Sequence, residues 1–369
     1  MPNSITNVIR WSVDGASYVV VRGIVAVVQV MPLDMGDHFS RLLATLLTGP
    51  LPIRRAAIQT NLDRVMPTLS LAQRHRLVWS MWHHLMLMVC EIAWAQRRLH
   101  RANWKYHFRY KNNRESLAHL LSGRPMVMVT GHFGNFEVGG YMNGLMGVRS
   151  TTIARQLDNR FLHDWIECFR SSKGQDMVDK VGCAPIVDRH LRDNGVLTLL
   201  ADQHAGDKGT WVDFCGVPAS CHKALALFAL TSDAPMLAVY TRRIDHRPMQ
   251  FEIGMTASVD PLGDHGGACD GVASLTDWYN RELESMIQLA PEQYWWLHRR
   301  WRRPPTKVAK RLAKKRERAN ATASHVAKAS DSLRSERPDP SLCSAPSSSA
   351  PSKSCRGAGL RSPRRPDAA

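Results

Sequence analysis

The chain has no two cysteines at CxxC or CxxxC spacing: its 8 cysteines (Cys90, Cys168, Cys183, Cys215, Cys221, Cys269, Cys343 and Cys355) are scattered over 369 residues. That excludes the usual structural zinc patterns and makes reduced thiols on the cytoplasmic side the default. Cys215 and Cys221 with His204 and His222 are too irregularly spaced for a metal centre, so neither metal nor cofactor is expected. The first residues lack the charge and small-residue pattern of a cleavable signal. Internal repeats are absent, as are helix-turn-helix, zinc-finger and RNA-recognition signatures. The excess of basic over acidic residues is concentrated at one end. From Arg299 to Ala369 there are 19 Lys and Arg against 5 Asp and Glu, which accounts for +14 of the formal +17. The rest of the chain is nearly neutral, which speaks against a nucleic-acid partner for the globular part.

What is present begins with an apolar stretch, residues 18–31, in which Arg22 and Gln29 are the only strongly polar members. Seven apart, they share one helical face, so the stretch reads as a helix with a narrow polar stripe. It falls short of the roughly 20 apolar residues of a span, and the expectation is a helix lying in the membrane interface, with a buried core helix as the alternative. A long helical pattern rich in Trp and Met covers 70–99. From residue 126 short apolar runs alternate with amphipathic segments: strands at 126–130, 151–154, 196–201, 236–241 and 249–255, helices near 137–146, 159–173, 186–194 and 222–232, and a closing helix at 272–288. This order predicts an α/β layered domain with a largely parallel sheet. Three regions follow: an apolar helix at 1–35, the main domain at 36–305, and a basic, Ser- and Pro-rich tail at 306–369. The tail is charged and helical near 307–318 and then too polar to hold a core, so disorder is expected.

Chemistry concentrates at strand ends, where open α/β sheets bind ligands. Gly131-His132-Phe133-Gly134-Asn135-Phe136-Glu137 follows the run Met126–Thr130 and sets an imidazole beside a carboxylate. A neutral imidazole, with an ordinary pKa of about 6.5, takes a proton from an alcohol, and a carboxylate on its other nitrogen fixes the tautomer. Glu137 opens a helix, where the dipole favours its charge. Amides near Phe133 and Gly134 are candidate donors to an oxyanion. Asp202 and Gln203 leave the strand at 196–200, Arg155 leaves the strand at 151–154, and Lys223 ends a loop, Phe214–His222, that reaches a helix N-terminus suited to anions.

Together the Gly-His-Phe-Gly-Asn-Phe-Glu turn, Ala201-Asp202-Gln203 with the following Phe-Cys-Gly-Val-Pro-Ala, and Pro291-Glu292-Gln293-Tyr294-Trp295-Trp296-Leu297-His298-Arg299-Arg300-Trp301 resemble the lipid A biosynthesis acyltransferases of the late lauroyl and myristoyl type, over roughly residues 15–305. The resemblance implies a glycerolipid-acyltransferase-like α/β fold, an N-terminal membrane-associated helix, and transfer of a fatty acyl chain from an acyl carrier protein thioester or acyl-CoA to a glycolipid hydroxyl at the inner membrane. It makes His132 the base and Glu137 its orienting acid; by their own positions at strand ends and in the loop, Arg155, Asp202, Gln203 and Lys223 are the substrate-binding candidates. Cys221-His222-Lys223 departs from the smaller residues of that family, and the long tail lies outside its pattern. A polybasic 307–318 segment would gain about 1 kcal/mol per residue near an anionic surface, and a basic surface also steers acidic carrier proteins. Alternatives are an acyltransferase for a lysophospholipid or a phosphatidylinositol mannoside, a non-catalytic lipid-binding module, and a nucleic-acid-binding protein.

Overall fold

In the computed structural model, which describes residues 4–263, 265–314 and 317, four helices occupy most of residues 4–98. They form α1 (Ser4–Val30), α2 (Leu33–Thr48), α3 (Arg55–Val65) and α4 (Leu71–Arg98). A reciprocal pair of bonds between Ser70 and Gln73 caps α4, satisfying amides that its first turn leaves open. Next come β1 (Phe108–Lys111), α5 (Asn113–Leu121), β2 (Met126–Thr130), α6 (Phe136–Leu145), β3 (Ser150–Ala154), α7 (Arg160–Ser171), β4 (Gln175–Asp179), α8 (Ala184–Arg192) and β5 (Val196–Leu200). The chain then makes a hairpin, β6 (Thr210–Phe214) and β7 (Val217–Cys221), and continues through α9 (Ala224–Thr231), β8 (Met236–Arg243), β9 (Phe251–Val259) and α10 (Val272–Leu289).

Seven strands form one sheet in the order β1-β9-β8-β2-β5-β3-β4, parallel throughout except between β8 and β9. The mixed α/β class and the mostly parallel sheet agree with the alternation in the sequence. All of β2 is buried, which is why it reads as a continuous apolar run. Its alternate residues serve different cores. Val127 and Val129 join the largest cluster, with Leu197, Leu225 and Met286, while Met126 and Met128 meet Leu237 and Met255.

Four differences stand out. Residues 210–221 form a hairpin rather than a loop, turned by Cys215 and Gly216, both at positive φ (52° and 73°). Two left-handed residues in a row make the turn that matches strand twist, but the pair Cys-Gly is not a familiar turn signature. The edge strands β1 and β4 were not anticipated, because Phe108–Lys111 and Gln175–Asp179 are half polar. The N-terminal helix starts near residue 4 instead of 18, and Ile9–Val30 is long and apolar enough to cross a membrane by length and composition. Within the added length, Asn159, the N-cap of α7, donates to the Asp14 carbonyl (2.9 Å) and the Ser17 hydroxyl (3.1 Å).

The chain divides into two units, Met1–Lys310 and Arg311–Ala369. The first ends in a helical turn at 306–310; of the second, 311–314 and 317 are described and are helical. The Ser- and Pro-rich tail expected to be disordered lies outside the described residues.

Candidate active site

Register brings the central pair together. β2 and β5 are adjacent and parallel, with Thr130 opposite Leu200, so His132 and Asp202 each leave the sheet two residues past its edge, side by side. His132 Nδ1 lies 2.8 Å from Asp202 Oδ1, and the His132 amide donates to Asp202 Oδ2 at 2.9 Å. The carboxylate is fully buried. Burial works to raise its pKa, but the His132 charge and hydrogen bonds, with His298 nearby, more than offset this and hold it well below the ordinary carboxylate value. An ionised acceptor on Nδ1 assigns the proton to that nitrogen, leaving the lone pair on Nε2, to which the Gln203 amide donates at 3.3 Å.

The turn that presents His132 is held rigidly from behind. Gly134 sits at φ 59° against the β8 backbone, where a Cβ would collide with the Thr241 carbonyl. Asn135 caps α6 through Val138, and its side-chain amide donates to Glu91 Oε2 at 2.9 Å. Glu91 in turn takes two bonds from Arg243 (2.7 and 2.6 Å), both partners being almost completely buried. Arg243 also donates to His84 Nδ1 at 2.9 Å, so His84 donates from Nε2 to the Gly134 carbonyl at 3.2 Å. Burial first, and then the Arg243 charge, push His84 well below the usual histidine range, and it is neutral. Gln293 completes the support: its carbonyl accepts from Gly134 (2.9 Å) and its side chain bonds both backbone groups of Arg243. The Gly134 amide is thus committed to Gln293 and cannot serve an oxyanion.

In front of His132 lies a cavity of about 1050 Å³ that runs across one face of the sheet. Met128, Leu120, Val148, Ile253 and Met255 give it apolar walls, and His132, Glu137, Arg155 and Gln203 line it too. The expected bond between Glu137 and His132 is not formed. Glu137 turns instead to Arg170 of α7, whose Nε lies 3.0 Å from Oε2 and whose second nitrogen closes a bidentate pair. The carboxylate that orients His132 is Asp202, which sequence reasoning had placed among substrate contacts. Arg155 is an exposed rim residue paired with Asp158 at 3.0 Å. Lys223 is not brought to the cavity: it is exposed at the start of α9, because the preceding residues turn back into the hairpin.

Sequence reasoning missed Arg170, His298, and the Glu91–Arg243 pair. His298 lies against His132 with ring centroids 4.7 Å apart, and burial, against the pull of Asp202, brings its pKa down to about 4. Arg300, 1% exposed, donates to the Ser220 carbonyl (2.6 Å) and Cys221 Sγ (2.8 Å), joining the closing segment to β7. The motif Tyr294–Trp301 was a visible signal, but nothing in it said where it would land. Cys215, Cys221, His204 and His222 do not converge; among the described residues only His132, Asp202 and His298 bring potential ligand atoms together, within 4.8 Å. Both Asp202 oxygens there already bond His132.

A histidine with an unprotonated nitrogen thus faces a cavity with apolar walls and is backed by a buried carboxylate. Comparison with known proteins supplies the family. Residues 9–303 match the model of the bacterial lipid A biosynthesis acyltransferases, and the chain belongs to that family, so it is an acyltransferase. It is 26% identical over 281 residues to the lipid A biosynthesis lauroyltransferase of Escherichia coli K12, covering 70% of this chain and 82% of that one. The lipid A biosynthesis palmitoleoyltransferase of the same strain is 24% identical over 260 residues, covering 68% and 80%. A lipid A biosynthesis acyltransferase of Haemophilus influenzae is 23% identical over 280 residues, covering 72% and 81%.

Proposed function

We propose that this enzyme transfers a fatty acyl chain from a thioester donor, an acyl carrier protein thioester or acyl-CoA, to a hydroxyl of a lipid A-type glycolipid at the cytoplasmic face of the inner membrane. The observation that carries this reading is His132: Nδ1 is tied to a buried carboxylate and Nε2 opens on an apolar cavity of about 1050 Å³. His132 Nε2 takes the proton from the acceptor hydroxyl as the oxygen attacks the thioester carbon. Asp202 holds the ring and stabilises the imidazolium; the thiolate of the donor then leaves with that proton. Glu137 and Arg170, as a neutralised pair, form the polar wall beside the reacting groups. Arg155 at the rim and Gln203 beside Nε2 contact the substrates, Arg155 through donor or headgroup phosphate. The cavity face between β2, β8 and β9 holds a fatty chain.

Membrane attachment runs through α1. Its polar stripe faces the protein: Arg22 lies over the Trp165 ring at 5.3 Å, and Gln29 donates to the Ala93 carbonyl at 3.2 Å. Val13, Val19, Val20, Ile24 and Val27 are exposed. Turning apolar residues out and polar ones in suits lipid, not water. The basic 307–318 segment adds attraction to anionic headgroups or to an acidic carrier protein.

The test is mass spectrometry of a bacterial glycolipid extract incubated with acyl carrier protein thioesters and either wild-type enzyme or His132→Ala. A fatty-acyl mass added to a lipid A-type species by the wild type alone is expected. Addition to a lysophospholipid or phosphatidylinositol mannoside instead would change the acceptor, and equal addition by both proteins would remove His132 as the base.

A further inference from the structure

α2 is built inside out. Its buried face carries Gly36, Ser40 and Ala44, and a side chain at Gly36 would collide with the Trp94 ring of α4. The polar residues that flank this face are satisfied by neighbours: Asp37 bonds Arg41 Nε and His83 Nε2, each at 2.7 Å. The large apolar residues Met35, Phe39 and Leu42, spaced as one helical stripe, point away and are 57%, 44% and 57% exposed. Small residues against a neighbouring helix and large apolar ones outward is the arrangement helices take in lipid. The stripe does not end with the helix. Leu51 and Ile53, in the turn that follows, are 60% and 53% exposed, and Arg54 and Arg55 come next, also exposed. An apolar tip beside two cations matches the headgroup–acyl boundary of an anionic leaflet. Only Met31 and Pro32 separate α2 from α1, whose last residue, Val30, is 69% exposed.

The helix that follows this tip, α3, braces the catalytic centre. Asn61 of α3 donates to the Trp296 and His298 carbonyls at 2.6 and 2.5 Å, fixing the segment that stacks on His132. We propose that the Met35, Phe39 and Leu42 stripe and the Leu51–Ile53 tip rest in the membrane interface as a second contact beyond α1, with Arg54 and Arg55 on lipid phosphates, holding the site against the leaflet that supplies the acceptor. This rests on the membrane attachment proposed above.

The experiment is flotation of the full chain with vesicles of phosphatidylethanolamine and phosphatidylglycerol. Wild type is compared with a Phe39→Glu, Leu42→Glu, Ile53→Glu variant, whose fold is checked by circular dichroism. The variant is expected to partition roughly tenfold more weakly, the loss that follows when large apolar side chains no longer enter the interface. An Arg54→Glu, Arg55→Glu variant, which leaves the apolar stripe intact, is expected to weaken binding to these vesicles but not to pure phosphatidylcholine. A folded triple variant that floats like wild type overturns the second contact while leaving α1 as the anchor. If that variant misfolds, wild-type binding by the double-arginine variant on both vesicle types overturns it. Failure of the wild type to float at all overturns the membrane reading itself.

Discussion

The ends of β2 and β3 look alike in sequence, each a short strand delivering a polar residue, yet they differ sharply in the folded chain. At the end of β2, His132 meets a buried carboxylate, and its turn is held by Glu91, Arg243, His84 and Gln293 from three other parts of the chain. At the end of β3, Arg155 is exposed and, among the described residues, pairs with the nearby Asp158. A central strand ends among neighbours that can grip its turn, whereas β3 lies one place from the sheet edge. Preorganisation therefore belongs to the first end and adaptable charge to the second.

Substitutions separate the two ends by size of effect. His132→Ala should reduce turnover at least about 10²- to 10⁴-fold, the usual contribution of a general base, with no loss of folding; single-turnover acyl transfer reads it. Asp202→Asn should lower kcat by a factor approaching the same range while leaving KM nearly unchanged, because the ring loses its tautomer and the stabilisation of its charged form. Arg243→Met should cost roughly 3–5 kcal/mol in urea unfolding, since it strands the buried Glu91 carboxylate, and turnover should fall as the turn loosens. Arg155→Ala should leave stability within about 1 kcal/mol and raise KM for the donor or acceptor only a few fold. Should Arg155→Ala rival Asp202→Asn, the contrast between the strand ends would collapse.

Acidification offers a gentler probe. His298 is depressed from its ordinary value of 6.5 to about 4, so its stabilisation is complete above pH 6.5 and is lost as pH falls toward 4, where the unfolded chain takes a proton that the folded chain refuses. Thermal melts between pH 7 and about 4.5 should therefore show a fall in stability that His298→Asn reduces.

Much of this was legible in one dimension. The apolar runs at 126–130, 196–200 and 236–241 announce buried strands, and a polar pair straight after the first announces chemistry. The amphipathic character of residues 18–31 was visible too, though the helix begins near residue 4, in a stretch too polar to show the same periodicity. The partner of His132 was not visible. Glu137, five residues on, was the expected one; Asp202, seventy residues on, holds the ring.

Sequence alone determined the alternation of elements, the turn that carries His132, the lopsided charge and the apolar N-terminal helix, because propensity, periodicity and composition act over a few residues. Only the tertiary structure decided that Asp202 meets His132, that Glu137 turns to Arg170, that Lys223 is left outside, and that α2 shows its large side chains to the exterior. Those outcomes depend on strand order, register and helix packing, which join residues far apart in the chain, and no local spacing encodes them.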